Sequence, residues 1–277
     1  MSRRRFLAAA AAAWATPALA RTPLWQTLPE PVRRVPPRTA ATVRVGDTDL
    51  YYETYGAGRP LILLHDALGN AGHWSNQVGP LSLERQVVAI DLRGHGRSTR
   101  GQRSLSYGQM AEDVFGLMRA LRLEKATLVG WGDGAVTALT LAMRHPGWVR
   151  DFLMFGGNYD LSGLKSGAEK TDTFAAYVRK AMAEYMALSP APEFDALFRD
   201  LQAMWKREPR YTAKDLRKIR VAATVLYAEH DEIVHGAHAR EMARLIPGAQ
   251  LIVLPGLSHF APWQDSRRFN QAVSAAI

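Results

Sequence analysis

Residues 127–134 read Thr127-Leu128-Val129-Gly130-Trp131-Gly132-Asp133-Gly134. A short apolar run, bulky enough for a buried strand, breaks into three alternating glycines. From residue 135 to residue 145 the apolar positions recur at helical spacing. Only five residues separate the end of the strand from the helix, so the chain must turn sharply, and glycine is the residue that tolerates such a turn. A strand that feeds a helix through a tight turn is the building unit of a parallel sheet. In such sheets the ligand site lies at the carboxyl ends of the strands.

The rest of the chain repeats this rhythm. Residues 42–45 and 50–55 read as two strands joined by the turn Gly46-Asp47. Residues 60–64, 87–90, 152–155, 223–228 and 251–254 are further short apolar runs, and 107–121 has a helical pattern. Continuous apolar strands between amphipathic helices imply a mostly parallel sheet of eight strands, doubly wound with both faces covered, in an α/β fold. Residues 160–218 hold no strand-like run; 171–188 and 193–206 are helical, separated by Ser189-Pro190-Ala191-Pro192. This segment is expected to be a helical cap inserted after the sixth strand, between core segments 40–159 and 219–277. Its aromatics and methionines (Phe174, Tyr177, Met182, Tyr185, Met186, Trp205) are expected to form the cap core, a minority of them facing a pocket beneath.

The chain has 277 residues, 47% hydrophobic and 22% charged, and no cysteine. That composition excludes a disordered tail, a collagen-like repeat and a disulfide scaffold. It also removes thiol nucleophiles, zinc-thiolate sites and iron–sulfur clusters. The net charge is +9, with lysines and arginines scattered rather than gathered in an aromatic-interleaved stripe, so nucleic-acid binding is not expected. Three arginines, Arg3-Arg4-Arg5, precede an alanine-rich apolar stretch too short to span a bilayer, then Pro17-Ala18-Leu19-Ala20. This order resembles the bacterial twin-arginine export signal. It implies residues 1–20 as signal, cleavage after Ala20, a periplasmic or secreted protein and no stable membrane insertion. Residues 21–39, rich in Pro and Arg, read as an extended linker.

The strand-end motifs resemble those of the α/β-hydrolase family. Gly130-Trp131-Gly132-Asp133-Gly134 stands where the family has its G-x-S-x-G nucleophile elbow. His65-Asp66-Ala67-Leu68-Gly69-Asn70 follows the third strand, where the family has its oxyanion loop, and Asp91-Leu92-Arg93-Gly94-His95-Gly96-Arg97-Ser98 matches its D-x-R-G-x-G-x-S turn. Asp231 follows the seventh strand and His259 the eighth, in the family's order. The resemblance implies hydrolysis of small esters, lactones or related carbonyl compounds, without a cofactor or metal. It assigns His259 as general base, Asp231 as its acid partner, and the backbone N–H groups of Ala67 and Asp133 as oxyanion hole.

Two departures fall inside the site. The nucleophile position is Gly132, which has no side chain, and Asp66 stands where glycine is usual. A serine at Gly132 is expected to lower thermal stability and to restore labelling by a phosphonate. Residual chemistry would need His259 to activate a water lodged where the hydroxyl was. Asp66 either turns into the cavity, where as a carboxylate it would repel an oxyanion about 4 Å away by roughly 1–4 kcal/mol and as a protonated acid it would donate a hydrogen bond, or points away from it. The side chain of Asp133 is expected to point elsewhere. Leu68, Trp74, Trp131 and Asn158 are expected to line the pocket with Asp66. His65, Asp91 and His95 read as turn-stabilising, Ser258 as a poor substitute nucleophile, and His230, His235 and His238 as solvated rather than metal-binding. Asp231 could also serve as a helix N-cap before Ile233. Three functions remain open: a weak or non-serine hydrolase, a ligand-binding protein without turnover, and a lyase or cofactor-free oxygenase using His259 as base. The sequence does not specify an oligomeric state.

Overall fold

The computed structural model describes residues 22–32 and 35–277; the export signal expected over residues 1–20 lies outside them. Eight strands, β1 (Thr39–Val45), β2 (Thr48–Tyr55), β3 (Arg59–Leu64), β4 (Arg85–Ile90), β5 (Ala126–Trp131), β6 (Val149–Phe155), β7 (Ala222–Ala228) and β8 (Gln250–Leu254), form one sheet in the order β1-β2-β4-β3-β5-β6-β7-β8. β1 pairs antiparallel with β2, and β2 with β4; every other pairing is parallel. β1 begins three residues earlier than its apolar signal because Thr39 and the two alanines after it lie on an exposed edge, where ladder hydrogen bonds rather than burial hold the strand.

Helices cover both faces. α2 (Tyr107–Ala120), α3 (Asp133–Arg144) and α7 (Gly236–Leu245) pack on one, and α1 (Ser75–Leu81), α8 (Ala261–Gln264) and α9 (Ser266–Ala276) on the other. The central strands alternate their side chains into these two layers, so Leu61 to Leu64 are all fully buried although they form one unbroken apolar run. The cap, inserted between β6 and β7, carries α4 (Asp172–Leu188), α5 (Phe194–Trp205) and α6 (Ala213–Leu216). Tyr177 of α4 donates its hydroxyl to the Ala67 carbonyl (2.5 Å), and Glu184 accepts from Asn70 (2.9 Å) and meets Nε2 of His73 (2.7 Å). Met182 and Met186 do not join the cap core: they are 43% and 50% exposed, on the outward turns of α4.

Residues 22–32 are more than a linker. Trp25 stacks on His230 (ring centroids 4.6 Å), the Thr27 carbonyl accepts from Gln264 (2.9 Å), and Glu30 pairs with Lys180 of α4 (2.5 Å). Leu28 packs against the core, and the Val32 N–H donates to Asn76 (2.8 Å). The arm thus ties the loops after β7 and β8 to the cap.

Candidate active site

Gly132 joins β5 to α3 with φ +54° and ψ −115°, a backbone conformation that strains any residue with a Cβ. Its N–H donates to the Phe155 carbonyl (2.9 Å), which fixes the turn against β6. A Cβ built at this position would lie 1.6 Å from Oδ1 of Asp66 and 2.4 Å from its Cγ. The space of the missing side chain is therefore filled, and what fills it is a carboxylate. The expectation of a water there is corrected, as is the alternative that Asp66 points away.

His259 lies beyond β8 on a buried loop. Its Nδ1 meets Oδ2 of Asp231 at 3.0 Å, and its Nε2 meets Oδ2 of Asp66 at 3.2 Å. Each ring nitrogen faces an ionisable oxygen, and an imidazole can donate from both nitrogens only when protonated. Burial alone would push His259 down, but the charges of Asp231 and Asp66 outweigh it and hold the ring well above its ordinary value. The ring stacks on Phe155 (6.0 Å), and Gly156, at φ +62°, leaves room for it: a Cβ there would sit 2.5 Å from Cε1 of His259. Asp231 divides its work. Oδ2 takes the imidazole, while Oδ1 accepts the N–H groups of Ile233 and Val234 (2.8 Å each), so the capping and histidine-holding roles coexist. Burial raises its carboxyl, the His259 charge outweighs that, and the net shift is downward.

Asp133 opens α3. Its N–H donates to Oδ1 of Asp66 (3.2 Å), so an expected oxyanion-hole donor already holds an anion. Its side chain does not point elsewhere. It lines the cavity, accepting the Tyr107 hydroxyl (2.7 Å) and the indole N–H of Trp205 from the cap (2.9 Å). Burial, then the neighbouring Asp66 charge, push this carboxyl up to about 7 against the pull of those two donors.

The cavity above these groups has a volume of about 210 Å³. Asp66, Ala67, Leu68, Gly132, Asp133, Asn158 and His259 all line it. Trp74 and Trp131 do not. Both are fully buried beneath the site, where Trp131 packs against Trp74 (6.1 Å), His259 and Trp263 in an aromatic layer. Phe174, Tyr177 and Trp205 are the cap aromatics that reach the cavity, and Tyr107, Leu164, Lys165 and Ile233 join them without having been singled out from the sequence. Only Tyr107 offered a signal, as a phenol opening a helix after an N-cap serine.

The remaining polar residues hold turns. Nε2 of His65 accepts the Leu92 N–H (3.0 Å), and Nδ1 faces the Asp66 carbonyl (2.7 Å); burial keeps the ring well below its ordinary value, hence neutral. Asp91 accepts the N–H groups of Ala71 (2.6 Å) and Arg97 (2.7 Å). Burial lowers His95 to about 4, and its Nδ1 faces the Arg93 carbonyl. The Ser258 hydroxyl is engaged with Gln264 (2.9 Å) and Glu232 (3.4 Å). His230 stacks on Trp25, and Nε2 of His238 accepts the Tyr159 N–H (3.1 Å). Among the described residues no group of three or more His, Cys, Asp or Glu could hold a metal.

A family model described as the alpha/beta hydrolase family matches residues 61–272. The protein RutD of Azorhizobium caulinodans is 30% identical over 228 residues, covering 74% of this chain and 86% of that protein. The serine hydrolase BPHL of Mus musculus is 26% identical over 250 residues, covering 85% of each. Among solved structures, Est816, described as an N-acyl homoserine lactone degrading enzyme, superposes with a TM-score of 0.74 at 25% identity, over 86% of this chain and all of that one. A meta-cleavage product hydrolase from Pseudomonas fluorescens IP01 superposes with a TM-score of 0.72 at 21% identity, over 85% of this chain and 96% of that one, which speaks to the fold.

Proposed function

Because this chain belongs to the alpha/beta hydrolase family yet has no side chain at the elbow, we propose that it is a non-serine hydrolase of small, largely apolar molecules, with the Asp66 carboxylate as its reacting group. The observation that carries this reading is the position of Asp66: it fills the space of the absent hydroxyl and meets His259 at 3.2 Å, while Asp231 holds the far side of the ring. Acyl transfer of the serine type is disfavoured. The Asp133 N–H is engaged by Oδ1, and a second anion formed about 4 Å away would be repelled by roughly 1–4 kcal/mol. His259, Asp66 and water then supply the hydrolysis. The N-terminal motif supports export by the twin-arginine route, with a mature chain starting at Arg21.

A second reading is a ligand-binding protein without turnover, favoured by the Asp66–His259 pair itself: both side chains are nearly buried and already neutralise each other. Asp66→Asn and His259→Ala, compared with the wild type on short esters, lactones and simple alkyl compounds, decide between them. Turnover that falls at least about 100-fold in both variants supports the enzyme, general acid–base groups being worth about 10²–10⁴. Turnover indifferent to Asp66→Asn contradicts the role of the carboxylate. Saturable binding with no turnover establishes the second reading.

A further inference from the structure

We propose that Tyr177 of the cap is a positioning residue for Asp66: its hydroxyl pins a strained turn in the loop after β3, and the carboxylate stands against His259 only while α4 is seated on that loop. The inference rests on the assignment of Asp66 as the working group, and it is read on the Asp66–His259 contact itself, without turnover.

The strain lies at Leu68. Among the described residues other than glycine, only Leu68 and Arg122 have positive φ, and Leu68, at +61°, stands two positions from Asp66. A bulky residue keeps such a backbone only where its surroundings enforce it. The Gly69 N–H donates to the Asp66 carbonyl (3.0 Å), which closes a four-residue turn over 66–69. Positive φ at the third place alone makes this a type II turn, which favours glycine where Leu68 stands. His65, neutral and with Nε2 accepting from Leu92, donates its Nδ1 proton to the same Asp66 oxygen (2.7 Å). Neither bond fixes the peptide between Ala67 and Leu68. A flip of that peptide turns ψ of Ala67 and φ of Leu68 together and gives a type I turn, which leucine accepts and which keeps the bond from Gly69.

The cap opposes that flip. The Ala67 carbonyl, the oxygen that would swing away, accepts the Tyr177 hydroxyl (2.5 Å). The Tyr177 ring is 2% exposed and packs on Phe260 (5.0 Å) and Trp263 (5.9 Å), so the donor is fixed in place. Burial, then the Asp66 charge, raise this phenol well above its ordinary value, and it stays a donor. α4 grips the loop a second time through Glu184, which accepts from Asn70 (2.9 Å) and meets His73 (2.7 Å). The contact that depends on this grip has little slack. Nε2 of His259 and Oδ2 of Asp66 are 3.2 Å apart, and about 0.5 Å more is no longer a hydrogen bond. Asp66 is the first residue of the turn, so relaxation of the turn shifts its backbone and withdraws the carboxylate. Asp231, on the loop after β7, keeps Nδ1 in either case.

Proton NMR of the folded full chain at pH 7 is the test. Wild type should show two downfield N–H signals from the His259 ring. Tyr177→Phe, which keeps the aromatic ring and removes the donor, should lose the Nε2 signal and keep that of Nδ1. Adding Leu68→Gly, which frees the left-handed backbone of its cost, should restore the Nε2 signal without restoring the phenol. Both signals intact in a folded Tyr177→Phe, or both lost, overturns the inference, as does an Nε2 signal that stays lost in the double variant. Circular dichroism checks the fold; should Tyr177→Phe not fold, Glu184→Ala, which removes the second grip of α4, takes its place with the same outcomes. A wild type without the Nε2 signal removes the Asp66–His259 pairing and with it the assignment of Asp66, whereas a wild-type signal indifferent to Tyr177 overturns the positioning role and leaves that assignment standing.

Discussion

Gly132 and Asp66 exclude any other arrangement at each other's positions. The carboxylate can stand where it does only because residue 132 lacks a Cβ, and a serine there would place its Cβ 1.6 Å from Oδ1. Gly132→Ser should therefore lower stability by at least about 1–3 kcal/mol, from crowding and from the strain of a side chain at φ +54°, read as a fall in melting temperature. Alone it should not react with a serine-directed phosphonate, because Asp66 would contest the space. Combined with Asp66→Gly it should label and recover part of the lost stability. Labelling of the single variant would contradict the interlock. Both departures were plain in the sequence, but their relation was not: nothing in the letters says that residues 66 positions apart in the chain share a few cubic ångströms. The pH response belongs to this scale too. The folded state raises Asp133 to about 7, so between about pH 4 and 7 it binds a proton that the unfolded chain releases, and stability falls as pH rises through that window. His259, also raised, acts in the same sense: its contribution is complete below the unfolded value and is lost as pH rises through the folded one. Asp231 acts oppositely, losing its contribution as pH falls through its depressed value. Denaturant melts of Asp133→Asn should show a flatter stability profile from pH 4 to 7, and an unchanged slope would contradict this account.

At the scale of elements, the strands were legible because burial on both faces writes an unbroken apolar run, as in Leu61 to Leu64. The elbow was legible because its glycines are obligatory. The cap face was not, since Phe174, Tyr177 and Trp205 carry the same apolar signal whether they face a cavity or the cap interior. The arm over residues 22–32 reads as a linker in the sequence because its Pro-rich stretch has no period, while its hold on the body comes from single contacts. Those contacts converge on the site: Trp25 on His230 beside Asp231, Thr27 on Gln264, and Glu30 on Lys180 of α4. Gln264 accepts the Ser258 N–H (2.8 Å) next to His259. Gln264→Ala should cost about 1–3 kcal/mol through the buried N–H it leaves unpaired, whereas Glu30→Ala, at the surface, should cost under about 1 kcal/mol. Chemical denaturation of the two variants checks the order; equal losses would show that the arm, not the histidine loop, depends on Gln264.

For the whole molecule, the motif order along the chain anticipated the architecture, because a doubly wound sheet brings the ends of successive parallel strands to one edge. Asp66 after β3, Gly132 after β5, Asp231 after β7 and His259 after β8 meet for that reason. The export proposal also belongs to this scale. Replacing Arg3, Arg4 and Arg5 by lysine should retain the chain in the cytoplasm of a bacterium with a working twin-arginine pathway, and N-terminal sequencing of exported protein should begin at Arg21. Export of the lysine variant undiminished would argue for another route.

An imidazolium is clasped between two carboxylates, one of them in the place of a nucleophile. Proton NMR of the His259 ring reads it directly. At pH 7 the wild type should show two strongly downfield ring N–H signals, one for each carboxylate, and Asp66→Asn should lose the Nε2 signal while keeping that of Nδ1. A single downfield signal in the wild type, unchanged by Asp66→Asn, would mean that Asp66 does not hold the ring.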